Sequence, residues 1–243
     1  MAKQRVLLKL GGEALGSKVT KMFHGIAIDS LGQEIVSNSH THQFAIVVGG
    51  GNIFRGDEIK IDESLYPPNE KQSPVPDYMG MLATVQNGIL LQDLLERRFD
   101  LEIRVMNVLD KSSNEMYEPW IPRRAKHHLN KDRIVILVGG TGNPGFSTDM
   151  AMVLRAHQID ADIVLKGTKV DGIYDKDPIQ YPDAKFIREI THSEYVKRGL
   201  KIIDTAAVEQ ARKFKMGIGV FNLFKKDNLR RVLTEKDIGS VIH

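Results

Sequence analysis

The sequence predicts an α/β fold with a mainly parallel central sheet, and three observations predict it. Short apolar runs rich in β-branched residues end, one after another, in glycine. Stretches of helical period lie between them. The 243 residues are 42% hydrophobic and 27% charged, enough apolar surface for a core and close to the averages of globular domains. No linker or repeat divides the chain, so it reads as one domain over residues 1–243, with a softer division near residue 150.

The strands come first. Residues 6–10 run into Gly11-Gly12, and residues 44–48 into Gly49-Gly50-Gly51. Ile134–Val138 runs into Gly139-Gly140-Thr141-Gly142, and residues 163–165 into Lys166-Gly167. Runs this short and apolar suit strands buried on both faces. For the helices, residues 79–99 place Leu82, Val85, Ile89, Leu90 and Leu94 near helical spacing. Thr148–Gln158 begins at a cap, Ser147 or Thr148, and residues 204–215 open on Asp204 as N-cap. Residues 57–77 carry Pro67, Pro68, Pro74 and Pro76 and read as a long surface loop, as do residues 169–182.

Composition narrows the function. Lys plus Arg number 34 and Asp plus Glu 31, a net charge of +3. The basic residues are scattered, which argues against a nucleic-acid partner. Cysteine is absent, excluding disulfides, thiolate zinc sites and a cysteine nucleophile. The eight histidines, His127-His128 among them, show no metal spacing and are assigned to the surface. The N-terminus lacks a signal-peptide pattern and the longest apolar run is far short of a membrane span, so a cytoplasmic protein with no membrane partner is expected.

The placement of the glycines carries the chemistry. In open parallel sheets ligands bind beyond the carboxyl ends of the strands, where glycine lets backbone N–H groups approach a phosphate. Lys9 stands inside an apolar strand just before Gly11-Gly12. It either snorkels from an edge strand or aims a cation at a phosphate. Arg55, just past the second glycine run, is a second candidate cation or a solvated loop residue. Residues 140–145 match G-x-G-x-x-G after a strand, with Asp160 or Asp162 near the spacing of a ribose carboxylate. Pro144, however, stands where a dinucleotide fold needs its helix to begin. With Asn143, Ser147, Thr148 and Asp149 following, the loop looks more like a cradle for a phosphate monoester. A P-loop and the protein-kinase motifs are absent.

Taken together these segments resemble the bacterial uridylate kinases of the amino acid kinase superfamily. The resemblance rests on Lys9-Leu-Gly-Gly-Glu-Ala-Leu15, Gly49-Gly-Gly-Asn-Ile-Phe-Arg-Gly56 and Asp77-Tyr-Met-Gly-Met-Leu-Ala-Thr84. It continues through Thr141-Gly-Asn-Pro-Gly-Phe-Ser-Thr-Asp149 and the run from Ala161 to Tyr174 with Asp177-Pro178, and ends on Asp204-Thr-Ala-Ala207 and Val220-Phe-Asn222. It implies a three-layer sandwich whose N-terminal part, to about residue 150, holds the acceptor and whose C-terminal part holds ATP. It implies transfer of the γ-phosphoryl group of ATP to UMP, a step of pyrimidine nucleotide biosynthesis. Lys9, Arg55 and Asp149 would be catalytic. Lys9, Leu10, Gly11, Gly12, Gly51, Arg55, Thr168, Tyr174 and Asp177 would bind ATP. Gly50, Asp77, Thr141, Gly142, Asn143, Pro144, Gly145, Phe146, Ser147 and Thr148 would bind UMP, with Asp77 on the ribose hydroxyls. Mg²⁺ would arrive on the ATP phosphates with no protein ligand assigned. The family's homohexamers, with GTP and UTP as effectors, are implied in the same way.

The chain departs from the family pattern in places. Gly11 replaces a serine, Gly145 an aromatic residue and Ser147 a threonine. The proline-rich stretch replaces the usual run before Asp77, Met216-Gly-Ile-Gly219 replaces a Leu-Pro turn, and residues 16–43 and 100–131 match loosely. Other superfamily members act on carboxylates, carbamate or isoprenyl phosphates, and some relatives only bind nucleotides or oxyanions. The Asp77 helix and the 141–148 loop point to a nucleotide acceptor, and retention of Lys9 and Asp149 points to an enzyme.

Overall fold

The computed structural model describes residues 2–16, 24–54, 73–112, 115–235 and 237–243. Among them the strands are β1 (Gln4–Leu10), β2 (His42–Val48), β3 (Ile103–Asn107), β4 (Glu118–Pro119), β5 (Ile134–Val138), β6 (Ile163–Thr168), β7 (Ile173–Tyr174), β8 (Phe186–Ile187), β9 (Glu189–Ile190), β10 (Ile218–Asn222) and β11 (Ser240–Ile242). The helices are α1 (Gly12–Leu15), α2 (Gly25–Asn38), α3 (Val75–Phe99), α4 (Pro122–Asn130), α5 (Thr148–Gln158), α6 (His192–Lys197), α7 (Thr205–Lys213) and α8 (Asn228–Thr234).

Nine strands form one sheet in the order β4-β3-β5-β2-β1-β6-β10-β11-β9, and β7 and β8 form a separate hairpin. Among the described residues of the large sheet only the β10–β11 pair is antiparallel. Period-two alternation sorts the strand side chains into two cores. Val6, Leu8 and Leu10 of β1 join Ile46, Ile136 and Leu165 in a core completed by Leu31, Leu91 and Leu229, under α2, α3 and α8. Leu7 joins Val47, Val135 and Val164 in the opposite core, under α4 to α7. The result is the three-layer α/β sandwich. Because β1 is central, flanked by β2 and β6, Lys9 does not snorkel from an edge, and its side chain lies on the α5 side with that of Leu7.

Four expectations are corrected. The proline-rich stretch is helical from Val75, so Pro76 and Asp77 belong to the first turn of α3, where a missing N–H costs no helical bond. Residues 55–72, Arg55 among them, lie outside the described residues. On α3, Val85, Ile89, Leu90 and Leu94 pack on the core as their spacing suggests, but Leu82 is 54% exposed, and Met81, Thr84, Gly88, Leu91 and Leu95 also face inward. Gly88 crosses so near β5 that a Cβ there would collide with Val138. Finally, His42, His128 and His192 are buried: the Thr41 hydroxyl, Glu118 and the Met216 carbonyl each meet one ring nitrogen, while His42 Nε2 has no hydrogen-bond partner among the described residues. Residues 169–182 are not wholly loop, since they include β7.

Candidate functional site

The carboxyl ends of β1, β2, β5 and β6 converge on one place. The two N-terminal glycine runs cross there backbone to backbone. A Cβ on Gly12 would stand 2.7 Å from the Asn52 nitrogen and closer still to that of Gly51, and one on Gly49 would stand 2.7 Å from the Gly12 nitrogen. Any side chain at either position would push the loops apart. A Cβ on Gly11, by contrast, would meet only Lys9 Nζ at 3.9 Å among the described residues, none of which requires glycine where the family has serine. The side chain of Leu10 is fully buried, and its carbonyl accepts Gly49 N–H at 2.8 Å, so Leu10 belongs to the scaffold.

Buried polar side chains pin these loops. Asn87 of α3 donates to the Gly49 carbonyl at 2.7 Å and exchanges hydrogen bonds with Asn52 at 2.7 and 3.1 Å. The Thr84 hydroxyl accepts Gly139 N–H at 2.7 Å and donates to the Met81 carbonyl at 2.7 Å. Arg155, buried in α5, donates to the carbonyls of Gly140 and Thr141 at 3.1 and 3.3 Å and lies 5.0 Å from the centre of the Trp120 ring. Burial pulls its guanidinium down to about 10. With the carbonyls of the 139–142 turn held beneath by Arg155, the turn's opposite edge is left for a ligand.

At the centre stands Asp149, in the first turn of α5. Its Oδ1 lies 2.8 Å from Lys9 Nζ and its Oδ2 2.6 Å from Lys166 Nζ. Lys9 and Lys166 are register partners on β1 and β6, so their side chains leave the sheet side by side. Burial alone would raise the Asp149 carboxyl, but the two ammonium charges overcome it and hold the group well below the ordinary carboxylate range. Burial and the neighbouring Lys9 charge pull Lys166 down to about 8 against the attraction of Asp149. Asp204 N–H adds a bond to Asp149 Oδ2 at 3.2 Å. Ser147 caps α5 and donates to Asp204 Oδ2 at 2.8 Å, while Asp204 Oδ1 caps α7.

Two cavities adjoin this triad through Thr148 and Ile202. The smaller, about 170 Å³, is lined by Gly50, Gly51, Asp77, Thr84, Gly140, Phe146 and Thr148, next in sequence to Asp149. The larger, about 570 Å³, is lined by Val170, Tyr174, Asp177, Arg198, Lys201 and Ile202, and the Ile202 carbonyl accepts Lys166 Nζ at 2.5 Å. The structure thus brings together Lys9, Gly12, Gly50, Gly51, Asp77, Phe146, Thr148 and Asp149, while Tyr174 and Asp177 line the larger cavity. Thr141 and Asn143 hydrogen-bond within their own turn. Asp77 Oδ2 accepts Gly145 N–H at 2.6 Å, an arrangement that Gly145 permits through its φ of 81°. Thr168 is outside both linings; its hydroxyl closes the turn to Val170.

Sequence reasoning missed Lys166 as a site residue, although it carried the signal found at Lys9, a lysine at the glycine-terminated end of a buried strand. Asn87, Thr84 and Arg155 gave no such signal, because their partners are backbone groups of distant loops.

The Amino acid kinase family profile matches residues 4–222. Among solved structures, the UMP kinase from Bacillus anthracis superposes with a TM-score of 0.87 at 31% identity, covering 100% of this chain and 97% of that one. The UMP kinase from Ureaplasma parvum gives 0.85 at 30% identity, covering 100% and 99%. The uridylate kinase from Archaeoglobus fulgidus gives 0.71 at 26% identity, covering 98% and 99%.

Proposed function

The chain belongs to the amino acid kinase family, and on that premise we propose that it transfers the γ-phosphoryl group of ATP to UMP, giving ADP and UDP. The observation that carries the reading is the Lys9–Asp149–Lys166 triad standing between two cavities at converging, glycine-terminated strand ends. The likeness to UMP kinases over the whole chain supports UMP as the acceptor.

In this reading UMP occupies the smaller cavity, its ribose near Asp77 and its phosphate on the 141–148 loop, with Gly50 in the wall. ATP lies in the larger cavity between Tyr174, Asp177 and Lys201. Its phosphates reach the Gly11-Gly12 and Gly51 backbone. The smaller cavity is built from residues before 150 and the larger from residues after it, in keeping with an acceptor-binding first part and a donor-binding second part.

An oxygen of the UMP phosphate forms a bond to the γ-phosphorus as the bond to the β-bridging oxygen breaks and leaves with ADP. A nucleoside monophosphate has its second pKa at about 6, so the attacking oxygen is already charged at neutral pH and needs no general base. The obstacle is repulsion between two polyanions. Lys9 and Lys166 neutralise it on one face of the transferring group, and Asp149 fixes both ammonium groups without itself touching phosphate. Because Asp149 commits both oxygens to lysines, Mg²⁺ is assigned to the ATP phosphates and enters as part of the substrate. Arg55 is a further proposed cation for those phosphates. A non-catalytic binding role is not favoured, since a passive site has no need for two buried lysines at the junction of two cavities.

The same reading extends to a cytoplasmic homohexamer with GTP and UTP as effectors. Its support is the family resemblance and an exposed apolar stripe on α3, Val75, Tyr78, Met79 and Leu82, at the spacing of one helix face. The test of function is a coupled ADP-release assay with ATP-Mg²⁺ against UMP, CMP, dUMP, aspartate, glutamate and carbamate. UMP is expected to give the highest kcat/KM. Preference for a carboxylate or carbamate would overturn the reading.

A further inference from the structure

Tyr195 of α6 is fully buried, touches neither cavity and has no role in the mechanism above. Its hydroxyl accepts Ile203 N–H at 2.7 Å and donates to the Ile203 carbonyl at 2.9 Å. One hydroxyl thus closes on both polar groups of a single residue. Trans peptide planarity then dictates what the neighbours do, because the N–H and C=O of one peptide point in opposite directions. The peptide that gives Ile203 N–H to Tyr195 turns its Ile202 carbonyl the other way, where it accepts Lys166 Nζ at 2.5 Å. The next peptide gives its Ile203 carbonyl to Tyr195 and turns Asp204 N–H the other way, onto Asp149 Oδ2 at 3.2 Å.

We propose that Tyr195 is a positioning residue for phosphoryl transfer: its hydroxyl orients two consecutive peptide planes whose far edges hold Lys166 and Asp149. The inference rests on the kinase reading and assigns it a residue beyond the site itself. Ile202 lines the larger cavity, so the same two planes join that cavity's wall to the charged centre. Burial pushes the Tyr195 hydroxyl up to about 12, which keeps it a donor at every working pH. The groups facing Lys166 are Lys9 from β1, Asp149 from α5, and the Ile202 carbonyl from the segment that Tyr195 holds, whose Asp204 N–H meets Asp149. The carbonyl favours the ammonium form, so loosening it lowers the pH at which Lys166 loses its proton.

The experiment compares Tyr195→Phe with Thr191→Ala in the full chain. The first keeps the ring and the core shape and removes only the hydroxyl. The second removes the side-chain cap of the same helix, the acceptor for Glu194 N–H, and touches neither peptide plane. Tyr195→Phe is expected to lower kcat about tenfold, with KM for ATP and UMP within about twofold, the scale of one or two lost hydrogen bonds. It is also expected to move the alkaline limb of the pH–rate profile to lower pH. Thr191→Ala is expected to lower Tm and leave that limb in place. An unmoved limb and unchanged kcat in Tyr195→Phe, or the same two changes in Thr191→Ala, would overturn the proposal. Titration of the lysine Nζ signals by NMR in ¹⁵N-lysine protein without substrate, wild type against Tyr195→Phe, separates the two claims. A downward displacement of the Lys166 signal supports the Tyr195 assignment even if UMP proves not to be the acceptor, and no displacement refutes it even if UMP turns over.

Discussion

The two cavities that flank Asp149 are built from different materials. The smaller is walled largely by main chain, with its glycine turns pinned by buried side chains: Asn87 on Gly49, Thr84 on Gly139 and Arg155 beneath Gly140 and Thr141. The larger is walled by the β7–β8 hairpin region and the turn after α6, and its charged groups are exposed side chains such as Lys176 and Lys201. Buried hydrogen-bonded pins hold a shape and leave unpaired polar groups when the wrong ligand enters, whereas exposed lysines supply screened charge and little geometry. On this contrast, under the proposed assignment the smaller cavity would select between substrates and the larger would tolerate change in its nucleotide.

The strongest attempt to break the comparison is made where the two cavities meet. Lys9→Met is expected to lower kcat at least about 100-fold, the scale set by removal of one preorganised charge at a transition state, while both KM values change little. Asp149 keeps Lys166, so the thermal melt should stay cooperative. Near-normal turnover would take Lys9 out of the mechanism and the triad out of the boundary between the cavities. Next in size, Asp77→Asn is expected to raise the KM for UMP about tenfold and that for ATP less than about twofold, the worth of one charged hydrogen bond. Its amide oxygen can still accept Gly145 N–H, so the loop stays in place. Equal effects on the two substrates would erase the distinction between the cavities.

The pH dependence of kcat/KM reports the free enzyme. Lys166 has been pulled down to about 8, so its positive charge is lost as pH rises through that value. The expected profile falls above about pH 8, approaching tenfold per pH unit, and Lys166→Arg is expected to remove that fall while retaining less activity overall. A flat profile to pH 10 in the unmodified protein would show the Lys166 ammonium to be dispensable. The smallest effect is assigned to the exposed wall. Lys201→Ala is expected to raise the KM for ATP about threefold, an effect that fades as salt is added, with the KM for UMP unchanged. A salt-insensitive loss of the same size would mean that Lys201 acts through geometry.

Much of the sheet was legible because burial on both faces leaves a plain mark: β1, β2, β5 and β6 are short apolar runs that stop at glycine. The strands of two or three residues, β4, β7, β8, β9 and β11, are too short to carry a period, and their pairing is settled by neighbours distant in sequence. The inward face of α3 was only partly legible for a related reason. Thr84, Asn87 and Gly88 are buried because the glycine turns and β5 approach the helix closely, while Leu82 faces outward. Of the triad, Lys9 drew attention as a charge in an apolar strand, and Asp149 came through the family motif. Lys166 escaped although it shares the pattern of Lys9, because only strand order makes the two lysines neighbours.

The sequence by itself determined the layered α/β class, the turns at which the strands stop, and the residue types able to hold phosphate, since all three are written in local period and in the steric freedom of glycine. Tertiary structure alone decided which charges meet. Lys9 and Lys166 lie 157 positions apart along the chain and become partners through the β1–β6 register, and Asp149 reaches both from a helix laid across the sheet. Coulomb attraction and burial depend on distance in space, and no reading along one dimension supplies that distance.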